Sequence, residues 1–173
     1  MYTKLLSTNP DRGALFGRVL LGALLVPHGF QHALGLFGGY GFSGTLGWMT
    51  DTLGFPAPLA ALAIVTELIA PFALIVGLGG RLAALGIIGL MAGALSTHAP
   101  NGFFMNWFGS LPAGAEGFEY HLVVVGLAGV IVMNGSGALS LDRFLANRLT
   151  SARLATRLAS GRQAADSTTR RAA

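Results

Sequence analysis

Four stretches of this chain are long, apolar and almost uncharged, and they leave few folds open. They run over residues 14–37, 58–79, 82–99 and 119–139, and none holds more than one Asp, Glu, Lys or Arg. A helix needs about 20 residues, at 1.5 Å rise each, to cross the roughly 30 Å hydrocarbon core of a bilayer. The last two stretches lie nearest the short end of that range. Strands of a membrane barrel would alternate apolar and polar residues, and these stretches do not. The whole chain has 173 residues, with 11 Lys and Arg and 7 Asp and Glu, or 10% charged. A soluble domain carries about 25%, so too few charges exist here to coat a water-facing surface. The expected fold is all-α: a polytopic membrane protein built as a four-transmembrane-helix bundle.

The placement of the charges predicts a topology. Lys4, Arg12 and Arg18 precede or open the first span, and Arg81 lies between the second and third. Arg143, Arg148, Arg153, Arg157, Arg162, Arg170 and Arg171 follow the fourth. The connecting segments 38–57 and 100–118 hold no basic residue. Lys and Arg favour the cytoplasmic side, which predicts both termini inside and the two longer loops outside. The first span starts like a signal peptide, but no small-x-small cleavage site follows it, so it reads as a retained helix. The expected organisation is a cytoplasmic segment 1–13, a four-helix domain 14–142 and a basic cytoplasmic tail 143–173. From Leu141 the tail has Arg143, Arg153 and Arg157 on one side of a helical wheel and leucines on the other. That pattern suits an amphipathic helix on the inner leaflet; residues 160–173 read as disordered. A net charge of +4 therefore records topology, and with no nucleic-acid motif no nucleic-acid partner is expected.

Both outer loops are rich in Gly and aromatics, and they hold both tryptophans, Trp48 and Trp107. Such rings favour the membrane interface, as a simple belt or as a lid over a site in the bundle. Residues 43–53 suit a short interfacial helix with Ser43 as its N-cap. Gly86, Gly89 and Gly93, with Gly126 and Gly129, suit close helix approach, within one chain or in a homo-oligomer. Pro27 and Pro71 each free a backbone carbonyl that must face protein or water rather than lipid.

Ionisable groups inside spans are costly and mark function by default. Glu67 lies about 14 Å from the outer end of its span at 1.5 Å per residue, and His28 lies at about the same depth. These two are the candidate catalytic pair. His32 and Gln31 share the outer face beyond His28, His98 ends the third span, and Glu119 and His121 open the fourth. His28, Gln31, His32, Glu67, His98 and His121 form the candidate cofactor-binding set. Three readings stay open for it: a metal site, a quinone site in which His and Glu move protons, or a polar network that fixes helix register. No H-x-x-E-H or H-E-x-x-H pattern supports a metal, so no metal ligands are assigned. The absence of Cys excludes thiolate-held Fe–S clusters and disulfides.

A series of short motifs carries a family resemblance. They are Arg18-Val-Leu-Leu-Gly, His28-Gly-Phe-Gln-His32, Gly54-Phe-Pro-Ala-Pro-Leu59, Glu67, and Gly80-Arg81-Leu-Ala-Ala. They continue with His98-Ala-Pro-Asn-Gly-Phe-Phe104, Gly117-Phe-Glu-Tyr120 and Ser140-Leu-Asp-Arg143. Over about residues 12–145 the sequence resembles the DoxX family of small bacterial four-helix membrane proteins. The resemblance implies a multi-pass bacterial inner-membrane protein, and some relatives are similar to subunits of quinone-linked oxidoreductases. The leading expectation is therefore a membrane subunit of a redox system acting on a quinone. The alternative is a non-catalytic anchor for a soluble redox protein, docked through the aromatic loops or the tail. A small-molecule or ion transporter using Glu67 is the third, and no inverted repeat supports it.

Overall fold

Local signals set where each helix starts and stops. The computed structural model describes residues 8–109, 111–112, 115–154 and 160. Helix α1 (Arg12–Leu34) begins at Asp11, whose carboxylate accepts from the backbone N–H groups of Gly13 and Ala14, each at 3.0 Å. That satisfies two donors a helix start leaves open. It stops at Gly35, which takes the left-handed φ of 72° that favours glycine. Helix α2 (Gly41–Gly47) runs on into a π-helical turn, Trp48–Thr52. Helix α3 (Ala57–Val76) starts behind Pro56 and stops at Gly77, φ 68°. Helix α4 (Gly80–His98) continues into a 3-10 turn, Ala99–Asn101. Helix α5 (Glu119–Asn134) stops at Gly135, and helix α6 covers residues 141–154. No strand occurs among the described residues, so the fold is all-α as expected.

Three expectations about these elements need correction. The fourth apolar stretch is helical over only 16 residues, Glu119–Asn134, instead of 119–139. Gly135 ends it, and Ser136 turns inward so that its hydroxyl donates to Asp142 at 2.6 Å. Helices α1, α3 and α4 with its 3-10 turn are long and apolar enough to cross a membrane, and α5 is a shorter apolar helix. Ser43 is not an N-cap: α2 begins at Gly41, behind Tyr40, with no side-chain cap. The basic tail is helical over 141–154, with Arg148 stacked over the Phe144 ring. Apart from Ser160, the later tail lies outside the described residues.

The third correction concerns Arg18. The sequence counts it only among the charges that mark topology, yet its side chain is 1% exposed. Its guanidinium donates from Nε to Ser136 O at 2.6 Å, and from Nη1 to the carbonyls of Leu74 and Ile75. Nη2 donates to Ala138 O and Leu139 O. Helix ends leave their last carbonyls unsatisfied, and Arg18 collects those of α3 together with the turn after α5. Beside it, the Asp142 carboxylate accepts from the N–H groups of Gly79 and Gly80, where α4 begins. Arg81 donates to Val132 O at 3.0 Å, capping α5 in the same way. The start of α1, the turn between α3 and α4, the end of α5 and the start of α6 are thus tied together at one end of the bundle, called here the arginine end.

The helices run up and down between this end and the opposite, histidine end. Leu21 and Leu25 of α1, Leu74 of α3, Ile87 of α4 and Ile131 of α5 meet in the core. The outer faces are apolar as well: Phe16, Leu62, Ile69, Leu82 and Met133 are exposed. That pattern suits lipid, which solvates apolar side chains that water would not.

Candidate functional site

The seam between α1 and α3 places the first pair of polar groups. A Cβ on Gly22 would stand against Pro71 O and Ile75, and one on Gly29 would stand against Glu67 O and Leu68 Cα. The two backbones therefore nearly touch at two levels. Pro71 has no N–H to give to Glu67 O, its i−4 carbonyl. That freed carbonyl faces Gly29 rather than lipid, as the cost of an unpaired carbonyl in hydrocarbon requires.

At this level His32 Nδ1 meets Glu67 Oε2 at 2.6 Å. With the carboxylate ionised it can only accept, so the ring donates from Nδ1. The expected partner was His28, chosen by equal depth of the Cα atoms, and the structure replaces it with His32. The reason is side-chain direction. Cα–Cβ bonds tilt toward a helix's own N-terminus. Glu67 on α3 therefore leans to the histidine end, while residues on α1 lean to the arginine end. His32 leans toward Glu67 and His28 leans away from it. His28 still lines the same cavity, one turn deeper.

The second pair comes from α4 and α5. His98 Nδ1 donates to Ala94 O at 2.8 Å, which leaves Nε2 as the free nitrogen. Its ring lies against that of His121, with centroids 4.6 Å apart. His121 was expected near water, but it is 7% exposed. Glu119, beside it, is used by the loop: its carboxylate accepts from Met105 N and Trp107 Nε1. Gln31 does not join either pair. Its side-chain amide donates to Phe37 O at 3.2 Å and ties down the turn after α1.

His28, His32, Glu67, His98 and His121 all face one cavity of about 620 Å³ in the histidine half of the bundle. Small-molecule sites run from about 300 to 1,000 Å³ and are mostly apolar with a few convergent polar groups. Part of its cover is α2 and the π-helical turn, through Thr45, Trp48 and Met49. The first loop thus covers part of the cavity. In the second loop Phe104, Trp107 and Phe108 point outward and are well exposed, as a belt would be.

Sequence reasoning missed Thr45. It is 2% exposed, it lines the cavity, and its hydroxyl has no partner among the described residues. It sits in a Gly-rich loop, and nothing in the local pattern marks it as inward-facing. Tyr120 also reaches the cavity, and only its place beside His121 hinted at it. No group of three or more His, Asp or Glu able to hold a metal ion assembles among the described residues. The chemistry available is proton exchange. With Nδ1 donating to an ionised Glu67, His32 Nε2 is the nitrogen that can accept a proton. Residues 13–100 match the DoxX family model, a segment that includes His28, His32, Glu67 and His98 but stops short of His121. No curated protein and no solved structure matches the chain.

Proposed function

The chain belongs to the DoxX family, and from that premise we propose that it is the integral membrane subunit of a quinone-linked redox system. The arginine end is assigned to the cytoplasmic side of a bacterial inner membrane, because Arg12, Arg81 and Arg143 gather there. The observation that carries the reading is the His32–Glu67 pair, held at 2.6 Å and opening on a mostly apolar cavity.

Reducing a quinone to a quinol takes two electrons and two protons, and oxidising a quinol returns them. His32 Nε2 would exchange protons with the headgroup oxygen, and Glu67 would hold the ring and stabilise its charged form. Thiolate-held Fe–S clusters are excluded because the chain has no Cys. The electrons are assigned to a soluble redox partner docked at the membrane.

Titrating the purified protein with a benzoquinone tests this reading. His32→Ala and Glu67→Gln should each weaken binding at least tenfold. Absence of binding, or unchanged binding in both variants, removes the assignment. The alternative, a non-catalytic anchor, draws on the exposed Phe104, Trp107 and Phe108. It predicts that loop variants abolish activity of the assembled system while the His32 and Glu67 variants retain it.

A further inference from the structure

One wall of the cavity is built in an unexpected way. Gly86, Gly89 and Gly93 share a face of α4, and all three line the cavity. In a membrane helix such a face usually marks close contact with a neighbour. Here a Cβ on Gly89 would meet nothing within 4 Å, and one on Gly93 would touch only the tip of the Phe55 ring, at 4.0 Å. Gly86 alone is close to another helix, through Thr66. The glycines therefore form a trough rather than a packing seam.

The facing wall belongs to α3. Leu59 and Leu62 line the cavity and are 51% and 61% exposed. Exposed residues therefore line the cavity on both sides of the α3–α4 seam, Gly89 among them, and these helices contact each other less extensively than α1 and α3 do. Gly89 lies midway along α4. An opening at that height of a spanning helix faces hydrocarbon, not water.

A second observation points to a ligand. Thr45 lines this cavity, and its buried hydroxyl has no partner among the described residues. Buried polar atoms in native proteins are nearly always paired, and an exception needs an occupant or another explanation.

We infer that the cavity takes its ligand laterally from the bilayer, through the slot between α3 and α4, and that this ligand is a membrane-dissolved amphiphile. Its apolar part lies flat on the glycine trough, and its polar head bonds Thr45. This rests on the reading of the cavity as the ligand site and adds the route and the class of molecule. A bare ion or a water-soluble solute does not fit the class, because the trough offers it no polar contact.

The test uses the full chain in lipid vesicles and a small apolar aryl diazirine dissolved in the bilayer. After irradiation, adducts are mapped by mass spectrometry. Wild type should be labelled on Thr66 and Leu90 inside the cavity as well as on the outward Leu82 and Leu85. Gly89→Leu, which fills the trough where space is free, should cut the cavity adducts at least fivefold. Adducts on Leu82 and Leu85 should stay unchanged, which reports an intact fold. Labelling confined to Leu82 and Leu85 in wild type overturns the lateral mouth, and so do cavity adducts indifferent to Gly89→Leu. A paired titration reads the trough. Gly89→Leu should weaken a decyl-tailed benzoquinone about tenfold and the tail-less ring less than twofold, and equal effects on both overturn the trough. If diazirine labels the cavity but no benzoquinone binds, the quinone assignment falls and the lateral route stands.

Discussion

Replacing Arg18 by Met removes one charge and keeps the length of the stem. A guanidinium has five N–H donors, and the carbonyls of Leu74, Ile75, Ser136, Ala138 and Leu139 all accept from this one. A hydrogen bond to a charged group nets about 1.5–3 kcal/mol. Five of them taken at face value would consume the whole stability of a domain, about 5–15 kcal/mol. The bonds are not additive, because burying the charge costs part of the gain and some freed carbonyls at the bundle end can turn to water. The closest analogy is removal of one partner from a buried ionic network, about 3–5 kcal/mol. Arg18→Met should therefore lose about 3–5 kcal/mol in equilibrium unfolding by sodium dodecyl sulfate in mixed micelles, followed by circular dichroism. Arg18→Lys should recover less than half of that, because an ammonium has three donors and no fork to span two helix ends. A loss for Arg18→Met below about 1 kcal/mol, the scale of an exposed ion pair, would refute the clamp. It would return Arg18 to the role of a topology marker.

Four other outcomes follow from the same geometry. Gly29→Ala pushes a Cβ against Glu67 O and Leu68 Cα, and overpacking of this kind costs about 1–3 kcal/mol; the same unfolding titration should report it, together with weaker benzoquinone binding. Asp142→Ala strips the acceptor from Gly79 N, Gly80 N and Ser136 Oγ, and a loss of about 2–3 kcal/mol is expected for leaving buried donors unpaired, with an unchanged midpoint arguing against the network. Thr45→Val removes a buried, unpartnered hydroxyl, so the ligand-free protein should gain about 1 kcal/mol while benzoquinone affinity falls; loss of stability would mean the hydroxyl is satisfied. His28→Ala should leave benzoquinone affinity within threefold while His32→Ala lowers it at least tenfold, and the reverse order would restore His28 as the partner of Glu67.

The spans were legible because apolar length is a local property: α1, α3 and α4 lie close to the runs that predicted them. Their ends were less so, since Gly35 and Gly77 stop helices by a left-handed backbone turn inside runs that remain apolar. The set of polar residues was legible in part: five of the six candidate polar residues, His28, His32, Glu67, His98 and His121, line one cavity, while Gln31 does not. The pairing within it was not, because depth was counted along Cα atoms and the tilt of Cβ decides which neighbour is reached. Arg18 was misread for a different reason. Its acceptors come from residues 74–75 and 136–139, and no window around Arg18 contains them. The glycines of α4 show a further limit: their spacing is the same whether the face they leave is filled by a helix or kept empty.

The two seams of α3 explain how one short bundle holds a polar pair steady beside an open slot. On its α1 side, Gly22 and Gly29 let the backbones meet, and the proline at position 71 gives up a hydrogen bond just where Glu67 O turns to Gly29. That close contact fixes the height of Glu67 against His32. Tight packing cannot be relaxed there without moving the pair. On its α4 side, glycines of the same kind face no backbone, and exposed leucines stand opposite them. The slot stays open without the bundle coming apart because α3 and α4 are tied elsewhere: Arg18 and Asp142 join their ends at the arginine end. Rigidity is therefore concentrated along the α1–α3 seam and at the arginine end, and access is left to the α3–α4 side near the histidines. A chain with so few charges can combine the two because its buried arginine and aspartate close the bundle at the end away from the cavity.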